Sequence, residues 1–499
     1  MISKTRVKAL AETTASFFAV PVNFSQGVGN VAADVPDEVA GQRVPRSLSE
    51  EWCATHGFSA KAGSSLVLPA LDGASIVLVS LGEDPGDESY RLAAASAVRA
   101  ARGKDLAFLL PTDGLSFPAD AAQAVAEAAI LTSYNFKKPD DDSKLVVVAL
   151  GQDLPSIEAL DAVVAGVETG EVIANATNWA KRLVDTPPNF MTPKELAKAI
   201  AARLANVADV KIDVWTESKI REERLGGVLA VSSGSAEPAR VVIATYHPAN
   251  ATAHYALIGK GVTFDSGGLA IKPLPGMYDM KTDMSGAAVV SGVLAAVSAL
   301  KLPIRLTVIA PLVENMSGDR AVKPSDVITS RSGVTIEVAN PDAEGRLILA
   351  EGMTLALEHD PDAMIDVATL TGAMAAALGN ECAGFFSTDD ALAQRIMDAS
   401  ATSGEGFWQM PLDAKYEKDI ESETADIKNM GKFGGGPGAI TAGLFLQHFN
   451  DGRPWAHLDI AGPARAGESR GYYQRGGTAW GLRTIVALLT EVAATSSAS

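Results

Sequence analysis

Cysteine and histidine are scarce in this chain, and their scarcity excludes several kinds of site. The 499 residues include two cysteines, Cys53 and Cys382, and six histidines, none in a zinc-binding spacing. We therefore predict neither a cysteine zinc site nor a disulfide framework, and two free thiols suit a reducing cytoplasm. A phosphate-binding G-x-x-x-x-G-K-[ST] loop, an H-E-x-x-H helix and a G-x-S-x-G elbow are also missing. A hydrolase with this sequence must work without a histidine zinc site or a serine triad.

Positive charge is also in short supply. The chain has 42 Lys and Arg against 60 Asp and Glu, a formal net charge of −18. Because surfaces that bind nucleic acid or anionic membranes are basic, this argues against a general affinity for either. The longest apolar segment, about 286–300, is shorter than a membrane span, and the N-terminal segment does not read as a secretory signal. We expect a cytoplasmic protein.

The hydrophobic pattern predicts two α/β domains, since the length exceeds that of one ordinary core. A long Ala-rich helical pattern over about 155–184 separates two regions in which strands and helices alternate. We predict an N-terminal domain over 1–165 and a larger second domain over 166–499. Strands are predicted at 65–70, 74–82, 105–111, 144–151, 239–246, 254–261, 304–311, 333–338 and 363–370, helices at 88–103, 118–132, 284–300 and 345–358, a turn at 139–142, and a helix start at Thr192-Pro193-Lys194-Glu195.

Carboxylates and lysines gather where predicted strands end. A predicted strand leads to Lys260, and Asp265 follows five residues later beside two glycines. Lys272 comes next, and then Asp279 and Asp283 at the start of an apolar helix. In α/β sheets, ligands bind at the carboxyl ends of strands. Each charge alone is typical of a solvated loop, but their number at strand ends favours a site.

The segment VANPDAEGRLILAEG, residues 338–352, places three charges between apolar runs. If 342–346 is extended, Asp342, Glu344 and Arg346 share one face. If a helix starts near 345, its N–H groups and Arg346 form an anion site. A simple ion pair with Arg346 is the alternative.

Acidic side chains brought together in this way would repel one another and raise their own pKa values. A pair of divalent cations bridged by carboxylates removes the repulsion and is a known hydrolytic arrangement. The four acids concerned are Asp265, Asp283, Asp342 and Glu344. Oxygen ligands alone would suit Mg or Mn.

Several ordered motifs resemble those of one family, the leucyl (cytosol) aminopeptidases or M17 metallopeptidases. NPDAEGRL (340–347) is similar to the family's N-T-D-A-E-G-R-L signature. GKGVTFDSGGLAIKP (259–273) and MKTDMSGAA (280–288) resemble its other metal-site motifs, and DVATLTGA (366–373) resembles its substrate strand. The resemblance runs from about residue 170 almost to the end, including GGTAWGLRTIVALL (476–489), and is weak over the first 150 residues.

The resemblance implies a macro-like N-terminal α/β domain, a catalytic domain of the zinc-exopeptidase type and a homohexamer that releases N-terminal residues from peptides. It implies two divalent ions per subunit, Zn or Mn, activating water, and a bicarbonate held by Arg346 that moves the proton. Lys272 and Arg346 match the catalytic pair. The tighter metal is assigned to Lys260, Asp265, Asp283 and Glu344, the exchangeable one to Asp265, Asp342 and Glu344 with the Asp342 carbonyl, and substrate contacts to Met280, Thr369, Leu370 and Gly372.

Pro341 departs from the family signature, which has Thr at this position; proline fixes φ and removes an N–H, while the metal ligands are intact. The Met- and Thr-lined pocket suggests apolar side chains such as Leu.

Two other functions stay open at this point. A two-metal phosphoesterase could use the same carboxylates with the loop 434–438 around a phosphate. A DNA-binding or scaffolding role, which some members of the family have, is opposed by the charge of −18.

Overall fold

The structure is a computed structural model, and it describes residues 5–8, 10–70, 73–113, 115–138, 144–150, 156–432 and 435–496. The predicted turn at 139–142 and residue 434 lie outside these ranges. The chain divides into two compact units, Met1–Asn178 with Gly467–Arg475 and Trp179–Ala466 with Gly476–Ser499. The boundary at 165/166 stays a prediction.

The first unit contains an eight-stranded mixed sheet and a two-stranded ribbon of β4 and β5. Its strands are β1 (Thr5–Val7), β2 (Phe17–Ser25), β3 (Val28–Val31), β4 (Glu38–Val39), β5 (Gln42–Arg43), β6 (Ser47–Leu48), β7 (Ser65–Leu68), β8 (Ser75–Gly82), β9 (Leu106–Pro111) and β10 (Leu145–Leu150). Its helices are α1 (Glu50–Thr55), α2 (Asp87–Ala101), α3 (Pro118–Thr132) and α4 (Ile157–Asp185), which contains the point of division, and a 3₁₀ turn covers Leu10–Glu12. Strands β1, β10, β9, β2 and β8 are successive parallel neighbours.

The second unit contains a nine-stranded sheet, two small sheets and ten helices of its own in the described residues. Its helices are α5 (Pro193–Leu204), α6 (Glu217–Glu222), α7 (Gly226–Ser232), α8 (Leu274–Met277), α9 (Ser285–Ala299), α10 (Gly345–Leu357), α11 (Gly372–Leu378), α12 (Asp390–Ser403), α13 (Gly438–Gln447) and α14 (Leu482–Ser496), with 3₁₀ turns at Met280–Met284 and Ala414–Asp419. Its strands are β11 (Val210–Trp215), β12 (Arg240–Tyr246), β13 (Ala253–Gly259), β14 (Gly261–Asp265), β15 (Ile304–Asn315), β16 (Asp326–Thr329), β17 (Thr335–Val338), β18 (Ala363–Ala368), β19 (Cys382–Ser387), β20 (Gly406–Gln409), β21 (Ile427–Lys428), β22 (Trp455–Asp459), β23 (Arg465–Ala466) and β24 (Gly476–Gly477).

The nine-stranded sheet has the order β11-β12-β15-β13-β18-β22-β19-β20, with β14 also paired to β15. Its centre, β15-β13-β18-β22, is parallel and buried on both faces, which explains its nearly continuous apolar sequence. A Cβ on Gly259 would lie 2.6 Å from Ala287 in α9, whereas a Cβ on Gly352 in α10 would lie 2.6 Å from Ile258 Cγ2. Because neighbouring strand residues face opposite ways, α9 and α10 cover opposite faces of β13.

The α/β prediction is confirmed, and every strand and helix predicted above is found, most of them within two residues of the predicted ends. Thr192 caps α5 by accepting the Glu195 N–H, as predicted. Strand β15 continues four residues beyond its predicted end, to Asn315. Strands β2 to β6 and most elements after residue 380 were not predicted individually.

One helical stretch in the described residues is long and apolar enough to cross a membrane, Met280–Ala299. The apolar helix α9 itself has 15 residues, as expected, and the preceding 3₁₀ turn extends the stretch to 20. Because 94% of its most apolar window is buried inside the structure, the stretch packs as a core helix of the second unit.

Candidate metal and substrate site

The predicted site residues lie at the carboxyl ends of the central parallel strands, inside the second unit. Lys260 follows β13, Asp265 ends β14 and Thr369 follows β18. The 3₁₀ turn before α9 carries Asp283, and the start of α10 carries Glu344. The strand ends meet at one edge because each βα connection brings the chain back, so that the next strand runs in the same direction.

Lys260 is buried among acceptors. Its Nζ lies 2.7 Å from Asp283 Oδ1 and 2.9 Å from Glu344 Oε1, and it donates to the Thr369 carbonyl at 2.9 Å. The side chain passes against the first residue of α10, where a Cβ on Gly345 would lie 2.6 Å from Lys260 Cε. Glycine at position 345 is what lets the lysine reach Glu344.

A second lysine joins the other two carboxylates. Lys272 Nζ lies 2.8 Å from Asp265 Oδ2 and 2.5 Å from Asp342 Oδ1. Asp265 Oδ1 accepts the Gly267 N–H at 2.8 Å in a turn where Gly267 has φ of +85°, a conformation that requires glycine. Four carboxylates therefore surround two ammonium groups, and the cluster keeps an excess of negative charge.

These groups shift one another's pKa values. Burial raises the pKa of Asp283 and of Glu344, and neighbouring carboxylates raise both further against the opposing effect of Lys260. Burial by itself lowers the pKa of Lys260 and of Lys272, but the surrounding carboxylates outweigh it and hold both above the ordinary value. A neutral Lys260, which a ligand role needs, therefore requires cations among these carboxylates.

The oxygen atoms of the cluster fit divalent cations. Oxygens of Asp265, Asp342 and Glu344 all lie within 4.8 Å of one another. The described residues contain no second group of three or more His, Cys, Asp or Glu side chains that could hold a metal ion. That spacing is close to twice a metal–oxygen distance of about 2.0–2.6 Å. Glu344 Oε2 and Asp283 Oδ2 are buried and have no hydrogen-bond partner among the described residues. Buried carboxylate oxygens without partners are costly, and a bound cation removes that cost.

Arg346 is the second residue of α10, so the interpretation of 342–346 as an extended segment is wrong and that of a helix start near 345 is confirmed. Its Nη1 donates to the Asn429 carbonyl at 2.8 Å, and its Nε is buried without a partner in the described residues. Burial lowers its pKa to about 10, with Glu344 and Asp459 acting in the opposite direction. Arg346 lines a cavity of about 210 Å³ that can hold a small anion.

The predicted substrate residues lie beside the carboxylate cluster. Thr369 donates from Oγ1 to Asp283 Oδ1 at 2.7 Å, in addition to accepting from Lys260. Leu370 and Gly372 line the cavity of Arg346, and Met280 begins the turn that carries Asp283. Contacts with a substrate stay a prediction for these four residues.

Three buried polar residues that support the site were missed by sequence reasoning: Asn315, Asn429 and Asp459. Asn315 Nδ2 donates to Asp265 Oδ1 at 2.8 Å and to the Pro341 carbonyl at 3.1 Å, so Pro341 contributes to the site through its carbonyl. Asp459 ends β22 and accepts from the Leu370 N–H and from the Thr371 hydroxyl. The rule of charges at strand ends would have found Asp459, but an amide carries no such signal.

Comparison with known protein families agrees with these motifs. Residues 178–486 match the catalytic domain of the cytosol aminopeptidase family, and residues 35–139 match its N-terminal domain. The chain is 40% identical over 463 residues to a probable cytosol aminopeptidase of Chlorobaculum tepidum, covering 87% of this chain and 90% of the relative. It is 38% identical over 450 residues to a probable cytosol aminopeptidase of Roseiflexus castenholzii, covering 87% and 91%.

A similar solved structure is the bottromycin maturation enzyme BotP in complex with Mn. It has a TM-score of 0.82 and 34% sequence identity, covering 96% of this chain and 100% of BotP. A second BotP structure has a TM-score of 0.81 and 35% identity. The similarity covers both units of the fold.

Proposed function

Because the chain belongs to the cytosol aminopeptidase family and is an aminopeptidase by that membership, we propose that it releases leucine and other apolar N-terminal residues from peptides with two bound divalent cations. The observation that carries the proposal is the convergence of four carboxylates and two lysines at one sheet edge, with buried oxygens of Asp283 and Glu344 that have no partner among the described residues. The similar structure of BotP is a complex with Mn, which supports the proposal of a divalent cation in this chain.

The residues divide into two proposed ligand sets that share Asp265 and Glu344. The tighter set adds Lys260 and Asp283, and the exchangeable set adds the carboxylate and the carbonyl of Asp342. The backbone supports the last assignment, because the Asp342 carbonyl accepts no hydrogen bond from the described residues while the other polar backbone groups of 340–343 are bonded. We propose Zn or Mn at both positions.

The bound cations would supply Lewis-acid chemistry that polarises a carbonyl and makes water acidic near neutral pH. Lys272 would then turn its ammonium from Asp265 and Asp342 toward the oxyanion that forms on the scissile carbonyl. Arg346 would hold a bicarbonate in its cavity as the proton carrier, because its buried Nε is without a partner in the described part of the chain. Leu370 would orient the substrate through its backbone, and Met280, Thr369 and Gly372 would line the side-chain pocket.

The wider setting is also a proposal. We propose a cytoplasmic homohexamer, from the family and the names of the relatives. We also propose a macro-like domain over 1–165 and a catalytic domain over 166–499. Light scattering coupled to gel filtration tests the assembly, and a mass near that of a single chain would reject the hexamer.

The function is tested by removing and restoring metal. Chelator-treated protein should lose hydrolysis of leucine p-nitroanilide and recover it with Mn²⁺ or Zn²⁺, while nitrophenyl phosphate should stay intact throughout. Recovery of phosphate ester hydrolysis alone would favour the two-metal phosphoesterase. A panel of aminoacyl nitroanilides then ranks the side chains, with leucine and methionine expected ahead of charged residues.

A matched pair of lysine variants tests the catalytic role of Lys272. Lys272→Gln removes the ammonium and should lower kcat by about 10²-fold or more, as removal of one oxyanion donor does elsewhere. Lys323→Gln is the control, because Lys323 is an exposed lysine paired with Asp326 on the surface. Equal kcat in the two variants would contradict the role.

A further inference from the structure

Asn429 is delivered to the site by a very short strand. Strand β21 has two residues and pairs in parallel with β17, at Ile336 with Ile427 and at Glu337 with Lys428. Asn429 follows directly, and its N–H donates to the Glu337 carbonyl at 3.0 Å. Its side chain therefore lies where β17 ends and the chain turns into residues 340–343. It is fully buried.

The Asn429 side chain uses its hydrogen-bonding groups on that turn. Oδ1 accepts the Asn340 N–H at 3.1 Å, and Nδ2 donates to the Asn340 carbonyl at 2.8 Å and to the Ala343 carbonyl at 3.1 Å. These three bonds bracket Asp342 on both sides. A hydrogen bond within the turn also stabilises it, because Asn340 Oδ1 accepts the Asp342 N–H at 2.9 Å.

The backbone of Asn429 holds the other functional group. Its carbonyl accepts from Arg346 Nη1 at 2.8 Å, which is the hydrogen bond that fixes the guanidinium beside the cavity. Asp342 belongs to a turn and Arg346 to α10, and one residue from a third segment bonds to the turn on both sides of Asp342 and to Arg346 itself. A shift of Asn429 would therefore move the carboxylate and the guanidinium together.

We infer that Asn429 is a positioning residue, which sets the place of Asp342 as a cation ligand and of Arg346 as the anion-holding group relative to each other. The inference rests on the proposed function, because it takes Asp342 and Arg346 in the roles given above. Asn429 itself contacts neither the peptide nor a cation; it acts through the turn and the guanidinium. Residues that orient metal ligands in this way change metal affinity or activity by about 10–100-fold when they are removed.

The test compares Asn429→Ala with Asn450→Ala. Asn450 is also a buried asparagine that bonds loop backbone, donating to the Arg453 carbonyl at 3.1 Å and accepting the Gly452 N–H at 3.2 Å, and neither partner is a site residue. Mn²⁺ binding to chelator-treated protein is measured by calorimetry, together with Tm, kcat and KM for leucine p-nitroanilide. Asn429→Ala should weaken binding of the more loosely held Mn²⁺ and lower kcat, each by about 10–100-fold, whereas Asn450→Ala should lower Tm alone.

A double-mutant cycle with Arg346→Lys adds a readout that a purely structural role would not move. The losses in kcat from Asn429→Ala and Arg346→Lys should be less than additive, because both disturb the same guanidinium, while those from Asn450→Ala and Arg346→Lys should add. If Asn429→Ala does not fold, Asn429→Asp takes its place, since it keeps the acceptor for the Asn340 N–H and lacks the two donors. Wild-type kcat and Mn²⁺ affinity in the Asn429 variant, with a loss of Tm like that of Asn450→Ala, would overturn the inference.

The two proposals fail in distinguishable ways. Wild-type protein that binds a single Mn²⁺ would contradict the two-cation proposal. The Asn429 inference would then be decided by the cycle with Arg346, where additive losses reject it.

Discussion

At the scale of single residues, the side chain of Lys260 occupies the space that a side chain at position 345 would need. The lysine stem crosses the start of α10, and the nearest atoms to a Cβ on Gly345 would be Lys260 Cε, Cδ and Nζ, all within 2.8 Å. A side chain at 345 would have to displace the lysine that joins Asp283 and Glu344. The glycine of the motif is therefore explained by this close approach and not by a special backbone angle.

We expect Gly345→Ala to displace Lys260 and to lower kcat/KM by about 10²-fold, since a shift of about 1 Å in a catalytic site has an effect of this size. The control is Gly86→Ala, because a Cβ at Gly86 meets no atom within 4 Å. Steady-state kinetics on leucine p-nitroanilide decide the matter. Wild-type activity in Gly345→Ala would mean that the lysine can move without consequence.

The residues that sequence reasoning found and those it missed differ in chemistry. Asp265 and Glu344 could be found because a charge between apolar runs is expensive unless it has a partner or a metal. Asn315 could not, because an uncharged amide is common in any loop and its two partners lie 26 and 50 residues away. The part of the site that depends on such long-range hydrogen bonds is visible only in the folded chain.

At the scale of elements, α10 links the site to the rest of the second unit. Its first turn carries Arg346, and Glu351 in the next turn is fully buried. Glu351 accepts the Gly227 N–H of α7 at 2.6 Å and the Arg331 N–H at 2.9 Å. Burial raises the pKa of Glu351 to about 7, although both hydrogen bonds act to lower it.

This shift gives the second unit a pH-dependent stability. The folded pKa lies above the unfolded value of 4.5, so the stabilising contribution is complete below pH 4.5 and is lost as pH rises through about 7. The shift corresponds to about 3 kcal/mol at most. Glu351→Gln removes the titration but has a single acceptor oxygen, which costs about 1 kcal/mol.

We therefore expect Glu351→Gln to have a lower Tm than wild type at pH 5 and to regain or exceed the wild-type Tm at pH 8. Differential scanning fluorimetry measures both Tm values at the two pH values. Subtracting the wild-type Tm at each pH removes the contribution of the other titrating groups, which both proteins share. Glu217→Gln is the control, because Glu217 is a surface partner of Arg221. A Tm difference that is the same at both pH values would reject the assignment.

Elements were predictable where their pattern was long. The sequence predicted β13 and β18 from their continuous apolar runs and α4 from its Ala-rich pattern. A buried parallel strand or a long helix repeats one hydrophobic pattern over many residues. Strand β21 could not be predicted, since two residues show no period, and it forms only because β17 offers an edge. The same short strand delivers Asn429.

At the scale of the whole molecule, we expect the excess of acidic charge and the carboxylate cluster to make stability sensitive to divalent cations. A ligand that binds only the folded chain raises its stability by mass action, by about 2.7 kcal/mol at a concentration 100 times Kd. We expect Mn²⁺ to raise the Tm of chelator-treated protein by several degrees. The same titration should have little effect on Glu344→Gln and a full effect on Asp37→Asn, which changes an exposed acid of the first unit that pairs with Arg46. An unchanged Tm in all three proteins would argue against a cation site.

Strand β15 pairs with β13 as far as Ile258 and then with β14, where Gly261 faces Leu312 and Asp265 faces Asn315. The pairing with β15 therefore fixes the number of residues between Lys260 and Asp265, including the register shift between Val262 and Asp265. Adding or deleting a residue in that interval would turn the aspartate to the other side of the sheet. The number of residues between these two positions should therefore be invariant among active variants of this protein.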